Sequence, residues 1–179
     1  MTRSSYLLLY ACGCFLSLST KNVLACGGYE LITHKLQNCG GSASDIRLEN
    51  FNVSLNSDCF VDATGCVENK KAFKTTKVHY KISKGKLYNK EGHDDICQQL
   101  PKASNDIKLI LSFFGISQSC PVKARKICGG NETKLNLKKY ESSMGLLAGG
   151  VLKAYAMITT EVGLSCLEFE GEVIKKKVG

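Results

Sequence analysis

The hydrophobic pattern is clearest near the C-terminal end of the chain. From Leu164 to Ile174, Leu167, Phe169 and Val173 alternate with Cys166, Glu168, Glu170 and Glu172. That is the period-two pattern of a strand with one buried and one wet face. Val151 to Ile158 is a second strand-like run, and Thr159-Thr160-Glu161-Val162-Gly163 supplies the turn between the two. Together they predict the last hairpin of an antiparallel sheet. Far upstream, Ile46 and Leu48 alternate with Arg47 and Glu49 before the apolar set moves to Phe51, Val53 and Leu55. A parity switch inside one run predicts a strand over 46–55 with a bulge near Asn50. Phe73 to Ile82 predicts another strand, with Val78, Tyr80 and Ile82 on one side and Lys77, His79 and Lys81 on the other. Leu135 and Leu137 among lysines predict a short edge strand.

Other segments are less regular. Residues 26–38 have no clear period and read as a lead-in, and Cys59 and Cys66 bracket what reads as a short loop. Asp94-Asp95 suits a cap on a short helical turn ended by Pro101, and Ser104-Asn105-Asp106 suits a second cap. The run that follows, with Ile107, Leu109, Ile110, Leu111, Phe113 and Phe114, is apolar on nearly all sides. It is either a buried strand or a helix against something greasy, and either ordinary core or the wall of a cavity. Before the last hairpin, Met144, Leu146, Leu147 and Ala148 lie among Gly145, Gly149 and Gly150. Such an apolar tip is costly to expose to water. It either plugs the end of a sandwich, folds over a cavity, or dips into a bilayer.

Arg3 precedes an apolar run from Tyr6 to Leu18, and Val23-Leu24-Ala25 offers a small residue before a cut. This is the layout of a secretory signal peptide over residues 1–25, with a single domain over 26–179. The run is shorter than the roughly 20 residues of a spanning helix. Its removal leaves 22 bases (24 less Arg3 and Lys21) against 16 acids, and takes away Cys12 and Cys14. The remaining eight cysteines, Cys26, Cys39, Cys59, Cys66, Cys97, Cys120, Cys128 and Cys166, read as four disulfides in an exported chain. Asn52-Val53-Ser54 and Asn131-Glu132-Thr133 are glycosylation sequons.

No Gly-x-Ser-x-Gly elbow, phosphate-cradling loop or His-Glu-x-x-His motif is present, and no cofactor or metal is expected. Glu168, Glu170 and Glu172 read as a wet strand face rather than an acid/base pair, and His79 as a solvated side chain. The lysines are scattered without interleaved aromatics, which disfavours nucleic acid. A positive balance in an exported β protein suits transient contact with an anionic membrane surface, with Lys175-Lys176-Lys177 a solvated tail that adds to it.

Asn38-Cys39 followed by Ile46-Arg47-Leu48 resembles the opening of the lipid-recognition (ML) superfamily, and within it the ganglioside-activator proteins. Ile96-Cys97-Gln98-Gln99-Leu100, Ser119-Cys120-Pro121 and Cys128 are similar to that family's central cysteine block. The apolar tip and Gly163-Leu164-Ser165-Cys166-Leu167-Glu168-Phe169 are similar to its apolar loop and closing hairpin. The Cys59 to Cys66 loop is more like the small bridged loop of the Niemann–Pick type C sterol-transfer proteins. The likeness covers residues 37–174. Two features depart from it: Cys26 lies upstream of the family's first cysteine, and the tip has no tryptophan.

The resemblance implies an all-β, immunoglobulin-like antiparallel sandwich with one or two short helical turns, disulfide-linked and opened into a lipid-binding cup. It implies a secreted or lysosomal protein that takes up a lipid chain without catalysis and presents it to a hydrolase or transfers it. The lipid class stays open among glycolipid, phospholipid, sterol and hydrocarbon. It implies pairing of Cys39 with Cys166, Cys59 with Cys66, Cys97 with Cys120 and Cys26 with Cys128, with Cys97–Cys128 the nearest alternative. The expected lining is Tyr80, Leu109, Leu111, Phe113, Phe114, Tyr155 and Phe169, with Met144, Leu146 and Leu147 at the mouth. The rival expectation is an extracellular chemosensory or receptor-binding interaction protein with a similar sandwich, filled in the case of a receptor binder.

Overall fold

A computed structural model describes residues 25–114, 116–129 and 134–176 of the chain. The expected signal segment up to Leu24, the sequon at Asn131 and Lys177 lie outside the described residues. The strands are β1 (Tyr29–Asn38), β2 (Ile46–Leu55), β3 (Phe60–Asn69), β4 (Thr76–Lys84), β5 (Tyr88–Asp95), β6 (Arg125–Cys128), β7 (Lys134–Asn136), β8 (Leu152–Thr160) and β9 (Gly163–Lys175). One antiparallel sheet runs β1-β9-β8-β4-β5; the other runs β2-β3-β6, with β7 also on β3. The helices are short: α1 (Ile96–Gln99), α2 (Asn105–Phe113) and α3 (Met144–Leu147). This is the all-β antiparallel sandwich that the resemblance implies, built on the strands that the alternating runs predict. None of these helices is long and apolar enough to cross a membrane.

The bulge expected near Asn50 divides the interior. The β2–β3 register shifts between Glu49 and Asn52, and Asn50 and Gly65 both take positive φ, 48° and 76°. A Cβ at Gly65 would sit 2.2 Å from the Asn50 carbonyl oxygen, so the two chains meet there only because position 65 has no side chain. Beyond the bulge, Phe51, Val53 and Leu55 turn inward and are buried. Phe51 meets Phe113 and Phe114 with ring centroids 6.3 and 6.2 Å away. Before the bulge, Ile46 and Leu48 face a hollow instead. The sandwich is solid in one half and open in the other.

The last hairpin forms as predicted, from Leu152 opposite Gly171 to Thr160 opposite Gly163. The glutamates of β9 lie on its wet face: Glu168 pairs with Lys35 (2.7 Å), Glu170 pairs with Lys153 (3.2 Å), and a Glu172 carboxylate oxygen is 3.1 Å from the His34 Nε2. Cys166 shares their parity but is buried, covered by its bridge to Cys39 and by the Gly40 backbone. In the other helical segment, the Ser104 side chain accepts from the Ile107 N–H and starts α2, so the apolar run is a helix rather than a strand.

Two segments differ from expectation: the lead-in is β1, and the supposed loop 60–65 belongs to β3. β5 and β6 also form where no strand pattern was legible. The placing of 60–65 in β3 overturns part of the disulfide map. A strand rises about 3.3 Å per residue, so Cys59 and Cys66 are roughly 20 Å apart, beyond the Cα separation a bridge allows. Cys66 is instead directly opposite Cys128 and bonds to it, and Cys59 bonds to Cys26. The expected Cys59–Cys66 and Cys26–Cys128 pairs are therefore replaced, while Cys39–Cys166 and Cys97–Cys120 are present.

Candidate functional site

The hollow half holds an apolar cavity of about 270 Å³ between the sheets. Its floor is the inner face of the larger sheet. Cross-strand pairing sets Phe169, Ala154 and Ile82 in one transverse row and Leu167, Ala156 and Tyr80 in the next. Two causes keep this space empty. Ala154 and Ala156 are two successive inward residues of the central strand β8, ahead of the bulkier Ile158, and methyl groups cannot reach the opposite sheet. The aromatic rings also lie along the floor instead of projecting from it. Tyr80 lies over Gly92 of β5, where a Cβ would come within 2.6 Å of its hydroxyl. Phe169 lies over Gly171 in the same way, with ring carbon Cζ 2.7 Å from where a Cβ would be.

The opposite wall comes from Ile46 and Leu48 of β2 and from the segment closed by Cys97–Cys120. That segment carries α2 across the sandwich and contributes Leu111, Phe114 and Ile116 to the lining. Its helix is fastened at the N-terminal end, where Asp106 accepts from the Tyr140 hydroxyl (2.6 Å) and pairs with Lys139. Hydrogen bonds from Lys139 first and Tyr140 second hold the Asp106 carboxyl below the usual range. Phe73 closes one end of the cavity. It is buried, bridged to Val122, and followed by a turn whose Lys74 and Thr75 N–H groups donate to Glu161.

Tyr80, Leu111, Phe114 and Phe169, expected in a lining, do line this cavity. Tyr155 borders it differently. Its partners are Lys81 and Glu168, so alternation points its side chain to the outer face and its contribution to the wall is main chain. Phe113 lies beside the cavity in the solid core, against Phe51 and Phe114. Leu109 faces outward from α2, with Ile107 and Ile110.

The tip is corrected in part. Met144 is 1% exposed and belongs to the solid core, because the tip coils into α3 and turns that side chain inward. Leu146 is 83% exposed, Leu147 is about half exposed, and neither lines the cavity. The tip is held beyond the Ile82 end of β4 by Lys84, whose Nζ donates to the carbonyls of Leu146 (2.8 Å) and Ala148 (3.3 Å). Leu87, 87% exposed, lies in the β4–β5 turn that Lys84 begins.

Sequence reasoning passed over Leu36, Ile96, Phe73 and the two alanines of β8 as lining. The readable signal was Ala154-x-Ala156 on one face of an otherwise bulky strand. His79 does not face the cavity; its Nε2 is 2.8 Å from a Glu91 oxygen and its ring stacks on His93. Among the described residues no group of His, Cys, Asp and Glu side chains is placed to hold a metal ion.

No protein-family model matches the chain. Over 174 residues, 95% of each chain, it is 29% identical to "Sporozoite-associated mosquito saliva protein 1" of Anopheles gambiae.

Proposed function

We propose that this is an extracellular, non-enzymatic lipid-binding and transfer protein whose cavity takes up a single apolar chain. The observation that carries the reading is the void itself: an apolar space of about 270 Å³ held open by Ala154, Ala156 and two flattened rings. An apolar cavity of roughly 150 Å³ already binds benzene, and ordinary small-molecule sites start near 300 Å³. The size therefore suits one medium-length chain rather than a bulky two-chain glycolipid. Burial at about 25 cal/mol per Å² makes such a chain worth several kcal/mol. Secretion is supported by the name of the saliva protein with which the chain aligns and by the leader-like first residues. The exposed Leu87, Leu146 and Leu147 serve as the contact with an anionic membrane surface during transfer.

Native mass spectrometry of the protein from a secretory host tests this. Co-purified lipid that is released on unfolding is the expected result, and empty protein that takes up no added amphiphile rules the reading out. The relative's name, which calls that protein sporozoite-associated, favours a second reading, in which the chain associates with a cell. Binding to cells that survives removal of all lipid from the cavity would favour it.

A further inference from the structure

Beyond the presence of a chain in the cavity, the rim bears on what the other end of that chain is. The transverse row of the floor runs Leu36, Phe169, Ala154, Ile82 and then, on the edge strand β5, Lys90. The first four line the cavity and the fifth is an exposed ammonium. Lys90 lies directly opposite Ile82 and on the same face of the sheet, so its stem continues the apolar row while its charge sits at the row's end. It has no ion pair among the described residues; its Nζ lies 5.9 Å from the centre of the Tyr80 ring. The Tyr80 hydroxyl lies over Gly92, the next inward position of β5, and has no hydrogen-bond partner among the described residues.

The neighbouring charges do not substitute for a partner. Lys84, one row further, is engaged by the carbonyls of the tip. Asp94 faces the same way but opposite Val78, two rows off. Glu91 belongs to the outer face, with His79 and Lys81.

We propose that Lys90 and the Tyr80 hydroxyl form a headgroup subsite, and that the ligand is a single-chain amphiphile with an acidic head, such as a fatty-acid carboxylate. The chain lies over Ala154 and Ala156, and the carboxylate accepts hydrogen bonds at the β5 rim. A charge-assisted contact of this kind is stronger than a neutral one and needs no buried charge. This rests on the proposed uptake of a chain by the cavity.

The test compares decanoic acid with decanol by titration calorimetry at neutral pH and low salt, for the intact protein, Lys90→Gln and Lys81→Gln. The expected result is a preference for the acid that falls by about fivefold in Lys90→Gln, the scale of a rim ion pair. Lys81→Gln, on the outer face of β4, keeps the preference. Tyr80→Phe lowers the preference further when combined with Lys90→Gln. Equal binding of acid and alcohol, unchanged in Lys90→Gln, overturns the headgroup assignment and leaves the apolar cavity standing. Binding of neither ligand overturns both the assignment and the uptake of a chain.

Discussion

Glu161 shows how one exposed side chain can hold a wall of the cavity in place. Its carboxylate accepts from the N–H groups of Lys74 and Thr75 and from the Thr75 hydroxyl, which fixes the turn after Phe73. Those bonds, the Lys74 N–H foremost, pull its pKa from 4.5 down to about 2. A depressed carboxylate contributes stability above its unfolded pKa and loses it as pH falls through the folded one. Thermal melts should therefore place Glu161→Gln below the parent protein at pH 6, and the two melting curves should converge as pH falls from about 4.5 to about 2. A constant gap across that range would remove the carboxylate's role. The other residues that decide the site are small. Ala154, Ala156, Gly92 and Gly171 act by what they lack, and absent side chains leave little trace in a hydrophobic pattern.

At the scale of elements, the exposed leucines and the cavity occupy separate parts of the chain, so the proposed docking and the proposed binding can be tested apart. Leu146 and Leu147 of α3 and Leu87 of the β4–β5 turn are exposed together near Lys84, whereas the cavity is lined by residues before that end of β4. Burying one leucine is worth about 1.5–3 kcal/mol, roughly a factor of ten or more in partition. Leu87→Asp with Leu146→Asp should therefore weaken co-sedimentation with anionic phosphatidylserine vesicles by at least tenfold. Affinity for a soluble amphiphile in the absence of vesicles should stay within about twofold of the parent. Equal losses in both assays would show that the tip belongs to the cavity after all.

The elements also differ in how far the sequence revealed them. β2, its bulge, β4 and the β8–β9 hairpin were legible because each buries one face and wets the other. β5 was not, because Tyr88-Asn89-Lys90-Glu91-Gly92-His93-Asp94-Asp95 has no apolar period and is held by its ladder to β4. β1 is half-buried on both faces and shifts register between Thr33 and Lys35, which erases its alternation. In β3, Asp62-Ala63-Thr64-Gly65 resembles a turn, although Gly65 is there to meet the bulge. That one misreading carried both wrong disulfides with it. Tyr80, Leu111, Phe114 and Phe169 follow as lining only from the cup that the resemblance implies, because their apolar patterns alone fit ordinary core equally well. The tip could not be placed, because a period-two or loop reading gives no reason for Met144 to turn inward while Leu146 turns out.

For the whole molecule, the proposed uptake of a chain by the hollow sets stability against binding. Protein interiors are close-packed, and a void forfeits dispersion contacts along its walls. The eight bonded cysteines offset some of that cost by stapling neighbouring segments: Cys39–Cys166 ties the end of β1 to its neighbour β9, and Cys66–Cys128 ties β3 to its neighbour β6. Filling the space should then move the two properties in opposite directions. Ala156→Leu projects into the cavity from the centre of its floor, between Leu167 and Tyr80. The expected outcome is a gain of about 0.5–2 kcal/mol in denaturant unfolding, typical of cavity filling, together with loss of amphiphile uptake by at least tenfold. An overpacked core would instead lose about 1–3 kcal/mol. Stability and uptake falling together would point to distortion, and Ala156→Val, which adds less volume, separates that case. A variant more stable than the parent that still binds decanoic acid at full affinity would mean that the chain is held elsewhere on the protein.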